Sequence, residues 1–109
     1  MRDKIGDSQR LFHIKESIEE IEKFTKHVDF LEFESNSMMR LASIKLLEII
    51  GEAANALTTE TRNNYSEIEW KQIIALRNIL VHEYFGIDSE LVWQIIKVDL
   101  PHLKEKLKF

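Results

Sequence analysis

The sequence contains no cysteine, one proline and three glycines in 109 residues. The absence of cysteine excludes a disulfide framework and any zinc site built on thiolates. Proline and glycine interrupt regular structure, so their scarcity favours long helices or strands. No run of about 18 apolar residues is present, and the sequence therefore predicts no membrane span. The first ten residues also lack the apolar middle of a signal peptide, so we expect a cytoplasmic protein.

Metal ligands and excess positive charge are also missing. The four histidines never form a close pair at the spacing that metal sites favour, so we predict neither a metal nor another cofactor. The formal net charge is −4, whereas proteins that coat nucleic acid are usually basic because phosphate contacts dominate their affinity. An activity on RNA would therefore depend on a local cationic site and not on the field of the whole chain.

Apolar residues recur at helical spacing along most of the chain, and no segment alternates long enough to predict a strand. Near the start of the chain, positions at alternating spacings of three and four form one apolar stripe: Leu11, Ile14, Ile18, Ile21, Thr25 and Val28. These patterns predict one all-α domain over residues 1–109, a bundle of four or five helices. Helices are expected at about residues 7–29, 37–57 and 70–85, and from residue 88 or 89 onward, with a short helical piece within 58–69. Gly86 predicts the end of the third long helix, and Pro101 predicts a kink or a new start within the last one.

The second long helix combines small residues with a wide apolar arc. The small residues in its second half are Gly51, Ala53, Ala54 and Ala56. Its remaining polar strip consists of Lys45, Glu48, Glu52 and Asn55. Small residues permit another helix to approach closely, and a wide apolar arc requires contacts on more than one side. We therefore expect this helix to lie at the centre of the bundle or to be shared with a second subunit.

The stretch RNILVHEY, residues 77–84, places polar side chains where a core would be expected. Arg77 carries a permanently charged fork that matches phosphate oxygens, and His82 titrates near neutral pH and can transfer protons. Asn78 could orient the histidine or bind the substrate, and Tyr84 could contact phosphate or stack on a base. These residue types suit the cleavage of an RNA phosphodiester.

The spacing of these residues limits how they can meet. On an ideal helix, positions 77 and 84 lie within about 20° of each other, and positions 78 and 82 within about 40°. Positions 77 and 82, however, diverge by about 140°. Arg77 and His82 therefore converge only if the helix loosens near His82, or if a two-fold partner brings a second copy of the motif across a shared cleft. The second alternative also doubles the local positive charge.

Three segments carry a resemblance to a known family: IGEAANAL (50–57), YSEIEWKQIIALRNILVHEYFGID (65–88) and LVWQIIKVDLPHL (91–103). In this order and spacing they resemble the HepT family of HEPN-domain toxins. The resemblance implies an all-helical homodimer whose two motifs face each other in a cleft. It also implies a metal-independent RNA endonuclease activity that inhibits growth. The family's catalytic pair falls on Arg77 and His82, with Asn78 as a supporting residue.

The resemblance further implies a protein partner. Toxins of this family are encoded beside a minimal nucleotidyltransferase antitoxin, which transfers AMP from ATP to the motif tyrosine and so silences the toxin. That tyrosine falls on Tyr84 in this sequence. We therefore expect the toxin of a type II toxin–antitoxin pair, with RNA as its substrate and no membrane partner.

Two other interpretations remain open. The first is a non-catalytic helical protein that serves mainly as the substrate or scaffold of a nucleotidyltransferase, which fits the acidic charge slightly better. Arg77 would then be ion-paired, as arginines in half-buried helices commonly are, with Glu48, Glu52 or Glu83. The second is a purely structural helical dimer, which leaves the clustering of arginine, histidine and tyrosine unexplained.

Overall fold

The computed structural model of this chain describes residues 4–82 and 88–108, apart from the side chains at positions 4, 5, 79, 81 and 82. Seven α-helices lie within these ranges: α1 (Lys4–Thr25), α2 (Phe30–Ser35), α3 (Ser37–Ala56), α4 (Thr59–Asn64), α5 (Trp70–His82), α6 (Ser89–Gln94) and α7 (Leu100–Leu107). A π-helical segment, Ile95–Asp99, joins α6 to α7. The described ranges contain no strand, and the predicted all-α fold is confirmed.

The long helices correspond to the sequence patterns. Helices α1, α3 and α5 and the run from α6 to α7 are the four predicted long elements, and α4 is the predicted short piece. Asp88 caps the start of α6, its side chain accepting a hydrogen bond from the Glu90 amide at 2.9 Å. Pro101 lies in the first turn of α7, directly after the π-helical segment, and supplies no backbone amide donor there. No helix in the described part of the chain is long and apolar enough to cross a membrane.

The first helix ends at Thr25, earlier than the sequence predicts. Lys97 Nζ donates to the carbonyl oxygen of Thr25 at 3.2 Å and so satisfies one of the last carbonyls of α1. His27 then adopts a left-handed backbone conformation with φ of 64°, which turns the chain. Asp29 caps α2 by accepting from the Glu32 amide at 2.9 Å. The sequence patterns do not predict α2, because six residues are too few to show a helical period.

Helix α3 lies at the centre of the bundle, which is one of the two positions predicted for it. Asn36 caps it by accepting from the Met39 amide at 3.0 Å. It packs against α1 on one side and α5 on another. Its buried residues are Ser43, Ile44, Leu47, Ile50, Gly51, Ala53 and Ala54. This central position makes α3 the element that holds α5 in place.

The core is formed where these helices face one another. Its fully buried large apolar side chains include Ile14, Ile18 and Ile21 of α1, Phe33 of α2, and Leu80 of α5. The ring of Trp93 packs against that of Phe33 with centroids 4.9 Å apart. The apolar stripe predicted for α1 is thus the face that it buries.

Asp7 links the first turns of α1 to the start of α4. Its carboxylate is 2% exposed and accepts hydrogen bonds from the Thr58 amide and hydroxyl, from the Thr61 hydroxyl and from Arg10. Burial alone would raise the pKa of Asp7, but these hydrogen bonds outweigh it and hold the pKa below its ordinary value. Thr58 also caps α4 by accepting from the Thr61 amide at 3.2 Å.

Candidate active site

Two buried anchors hold α5 in position. At its start, Trp70 Nε1 donates to the carbonyl oxygens of Arg62 and Tyr65, both at 3.1 Å. Towards its other end, Leu80 is fully buried in the core. Arg77 lies between these anchors, one turn before Leu80, and its stem is therefore fixed at the contact between α5 and α3.

The approach of α3 to α5 is closest at Gly51. A Cβ atom at this position would overlap Arg77 Cβ and lie 2.9 Å from Arg77 Cγ and 3.3 Å from Arg77 Cα. Gly51 itself is buried. Glycine is therefore required for steric reasons, and the predicted close approach through small residues is confirmed at this point.

The guanidinium group of Arg77 has two polar partners. Arg77 Nη1 donates to Asn78 Oδ1 at 2.8 Å, and Arg77 Nη2 forms an ion pair with a carboxylate oxygen of Glu52 on α3. The Arg77 side chain is 29% exposed and that of Glu52 is 54% exposed. Arg77 Nε is buried, with no hydrogen-bond partner among the described residues. The group is therefore held at the surface by its outer nitrogens, while its inner nitrogen lies against the helix contact.

The structure thus brings together two of the four predicted site residues, Arg77 and Asn78. His82 is the last residue of α5, but its side chain lies outside the described residues. Tyr84 also lies outside them, as does Glu83, one of the three carboxylates considered for Arg77. Of the other two candidates, Glu52 is the carboxylate that pairs with Arg77.

Comparison with known proteins identifies the family. The family model described as "Ribonuclease HepT-like" matches residues 14–109, which include all four predicted site residues. The chain belongs to the HepT-like ribonuclease family. A relative in Methanocaldococcus jannaschii, named "Putative RNase MJ1380", is 44% identical over 98 residues that cover 90% of each chain. "Probable ribonuclease HepT" of Thermococcus cleftensis is 38% identical over 87% of this chain and 86% of its own length.

No solved structure matches this HepT-like chain significantly. The family match and the names of the relatives therefore indicate a ribonuclease family, while the arrangement of side chains comes from this structure alone. The sequence resemblance to HepT proteins is confirmed by the family match.

A shallow polar depression borders the Arg77–Glu52 pair of this HepT-like protein, between α1 and α3. It is lined by Arg10, His13, Lys45, Glu48, Ile49, Glu52 and Ala53. Its lining includes two cationic side chains, Arg10 and Lys45, and two carboxylates, Glu48 and Glu52. Glu52 also pairs with Arg77, so the depression and Arg77 together carry three cationic groups and two carboxylates.

A second groove lies on the other flank of α5, between α5 and the run from α6 to α7. Most of its lining is apolar, including Ile73, Leu76, Leu91, Ile95 and Val98. An apolar lining offers few hydrogen-bond donors for phosphate oxygens. The face of α5 that carries Arg77 and Asn78 is therefore the better candidate for an active site.

Proposed function

We propose that this HepT-like chain is a metal-independent RNA endonuclease that works as a homodimer, with Arg77 and His82 as its catalytic pair. The observation that carries the proposal is the placement of Arg77. Its stem is fixed against Gly51, its guanidinium reaches the surface, and Asn78 binds one of its outer nitrogens. A charged fork held in this way can bind two phosphate oxygens without first being ordered.

The geometry of α5 supports a cleft shared by two subunits. The backbone remains α-helical from Trp70 to His82, so no loosening precedes the histidine. Positions 77 and 82 of such a helix diverge by about 140°. One copy of the motif therefore does not direct both residues to the same point, whereas two copies facing each other across a two-fold axis can pool them.

The proposed reaction uses the RNA's own 2′-hydroxyl as the nucleophile. One His82 imidazole accepts the proton of this hydroxyl as the 2′-oxygen bonds to phosphorus. The imidazolium of the second His82 donates a proton to the departing 5′-oxygen. Arg77 stabilises the additional negative charge on the non-bridging oxygens. The products are a 2′,3′-cyclic phosphate and a 5′-hydroxyl, and no water or metal ion is consumed.

Substitution of His82 tests the activity directly. We expect His82→Ala to lower RNA cleavage by about 10²- to 10⁴-fold, because it removes the group that transfers protons. Purified protein is incubated with labelled RNA in the presence of a chelator, and the dimer is checked by analytical ultracentrifugation. His102→Ala, at an exposed histidine of α7, is the matched control. Equal cleavage by wild type and His82→Ala would refute the assignment.

Mixing two inactive variants tests whether the site is shared. Arg77→Ala and His82→Ala dimers are combined, partly denatured to exchange subunits, and refolded. A heterodimer retains one arginine and one histidine in the common cleft. The remaining His82 can still accept the 2′-hydroxyl proton while water replaces the second imidazolium as proton donor, so we expect part of the activity to return. If mass spectrometry detects heterodimers but the mixture is no more active than either variant alone, the hypothesis of a shared cleft is wrong.

We further propose that this protein is the toxin of a type II toxin–antitoxin system, silenced when a nucleotidyltransferase antitoxin adenylylates Tyr84. An ideal helix continued to position 84 would carry that residue on the same face as position 77, so the phosphate of an attached AMP would compete with RNA for Arg77. We expect Tyr84→Phe to keep some toxicity and to escape silencing by modification. Growth assays with the partner co-expressed check this, and full neutralisation of the phenylalanine variant would contradict it.

A second candidate function is a non-catalytic helical partner of a nucleotidyltransferase. The ion pair of Arg77 with Glu52 favours it, because a purely structural arginine would be paired in the same way. Under this alternative, His82→Ala would leave growth inhibition unchanged and would still bind the nucleotidyltransferase. Loss of RNA cleavage with partner binding retained would instead support the ribonuclease.

A further inference from the structure

The carboxylate of Glu52 lies at a position where it can control the proposed catalytic arginine. Glu52 follows Gly51 directly, so the residue that sets the helix contact and the residue that pairs with Arg77 are neighbours on α3. Gly51 faces α5, and the next residue lies about 100° further round the helix, at the solvent edge of the contact. The ion pair therefore bridges α3 and α5 at the rim of their interface.

The pair is exposed enough to be reversible. More than half of the Glu52 side chain and almost a third of the Arg77 side chain are accessible to solvent. Exposed ion pairs contribute little stability, because water and salt compensate for their loss. A phosphate that reaches the site can therefore displace the carboxylate or share the guanidinium, which has five N–H donors in total.

We infer that Glu52 is a positioning residue for Arg77. Its carboxylate aligns the guanidinium in the RNA-free protein and gives way to a substrate phosphate when RNA binds. Asn78 holds Arg77 Nη1, so Glu52 fixes the second arm of the fork. This inference rests on the proposed ribonuclease function and extends it to a residue on a different helix.

Two opposite effects follow for Glu52→Gln. The competing anion is lost, so we expect the KM for RNA to fall by about fivefold, the upper range for an exposed ion pair. The guanidinium also loses its alignment, so we expect kcat to fall by about tenfold, because small displacements of a catalytic group are costly. A residue with only a structural role would not lower KM and kcat together.

The matched control is Glu48→Gln, one turn earlier on the same polar strip of α3. Like Glu52→Gln, this substitution removes one negative charge from the lining of the depression between α1 and α3. It leaves the ion pair between Arg77 and Glu52 in place. Glu52→Asp keeps the negative charge on a side chain that is one methylene shorter. This variant should have the KM of the wild type and a kcat between those of Glu52→Gln and the wild type. If Glu52→Gln changes both constants no more than Glu48→Gln does, the inference is wrong.

A binding measurement separates this inference from the proposed function. A fluorescent RNA with 2′-O-methyl groups cannot supply the nucleophile, so its affinity is measured without cleavage. Tighter binding by Glu52→Gln than by Glu48→Gln supports the role of Glu52, even if the wild type proves inactive on ordinary RNA. Cleavage by the wild type together with equal binding by both variants overturns the inference and leaves the ribonuclease intact. If the wild type neither cleaves nor binds RNA, both proposals fail.

Discussion

Replacement of Asp7 by alanine should destabilise the fold strongly, because this buried carboxylate connects two distant parts of the chain. It accepts from the Thr58 amide at 3.1 and 3.2 Å, from the Thr58 hydroxyl at 2.5 Å and from the Thr61 hydroxyl. A weaker contact with Arg10 Nη1, at 3.3 Å, completes the network. In Asp7→Ala, one amide and two hydroxyl donors lose their acceptor at once.

The size of the effect follows from these donors. A hydrogen bond to a charged group contributes about 1.5–3 kcal/mol, and a buried donor left without a partner costs about 1–3 kcal/mol. The hydroxyls can rotate, and Thr58 is only half-buried and can bind water, so the costs do not simply add. We expect a loss of about 3 kcal/mol in the free energy of unfolding. For a domain of this size, the melting temperature should fall by about 12–20 °C.

Urea and thermal unfolding, followed by circular dichroism, measure this change. Asp29→Ala is the matched control, because Asp29 is an exposed cap of α2 that accepts one amide hydrogen bond, from Glu32. Removal of such a cap costs about 1 kcal/mol. If Asp7→Ala loses no more stability than Asp29→Ala, the network does not have the role that its geometry indicates.

The pH dependence provides an independent check. The native pKa of Asp7 lies below its ordinary value of 3.8, since the hydrogen bonds outweigh the opposing effect of burial. The Asp7 carboxyl group therefore binds a proton less tightly in the native state than in the unfolded state. The stabilisation that ionised Asp7 gives the fold is fully present above the ordinary pKa. It is lost as the pH falls through the native pKa. The difference in stability between wild type and Asp7→Ala should narrow below pH 3.8, and a constant difference would refute the reasoning.

Three further substitutions test the contacts that position α1 and α5. Gly51→Ala should cost about 2–3 kcal/mol and lower RNA cleavage, because its Cβ overlaps Arg77; calorimetry and cleavage assays of the same sample check both. Trp70→Phe should cost about 1 kcal/mol by losing the donor to two carbonyl oxygens, and an unchanged denaturation midpoint would contradict this. Lys97→Met should speed hydrogen–deuterium exchange of the backbone amides in the last turn of α1, because the Thr25 carbonyl loses the hydrogen bond from Lys97. Exchange rates equal to those of the wild type would contradict this prediction.

The fold was predictable because its helices are amphipathic and little interrupts them. The apolar stripe of α1 identified Ile14, Ile18 and Ile21 as core residues, and all three are fully buried. The wide apolar arc of α3 indicated either a central helix or one shared with a second subunit, and α3 packs between α1 and α5. Gly51 signalled a close approach of two helices. Each of these features depends on spacing within one segment, which the sequence displays directly.

Features set by distant residues were not predictable in the same way. The end of α1 depends on Lys97, 72 positions further along the chain, which binds the Thr25 carbonyl. The partner of Arg77 had three candidates: Glu48 and Glu52, which share the polar strip of α3, and Glu83. The choice depends on where α5 crosses α3 along its length. Gly51 sets that crossing, so the carboxylate next to it is the one that reaches the arginine.

The charge distribution explains how an acidic chain could act on RNA. The net charge of −4 gives no general attraction for phosphate, and the depression beside Arg77 contains the carboxylate of Glu48 as well as the cations of Arg10 and Lys45. Arg77 itself is neutralised by Glu52 until another anion reaches it. RNA would therefore bind where a phosphate displaces this carboxylate, and more strongly where a second subunit contributes a second arginine. Because the rest of the surface attracts RNA weakly, productive binding would be confined to the cleft that contains the proposed catalytic groups.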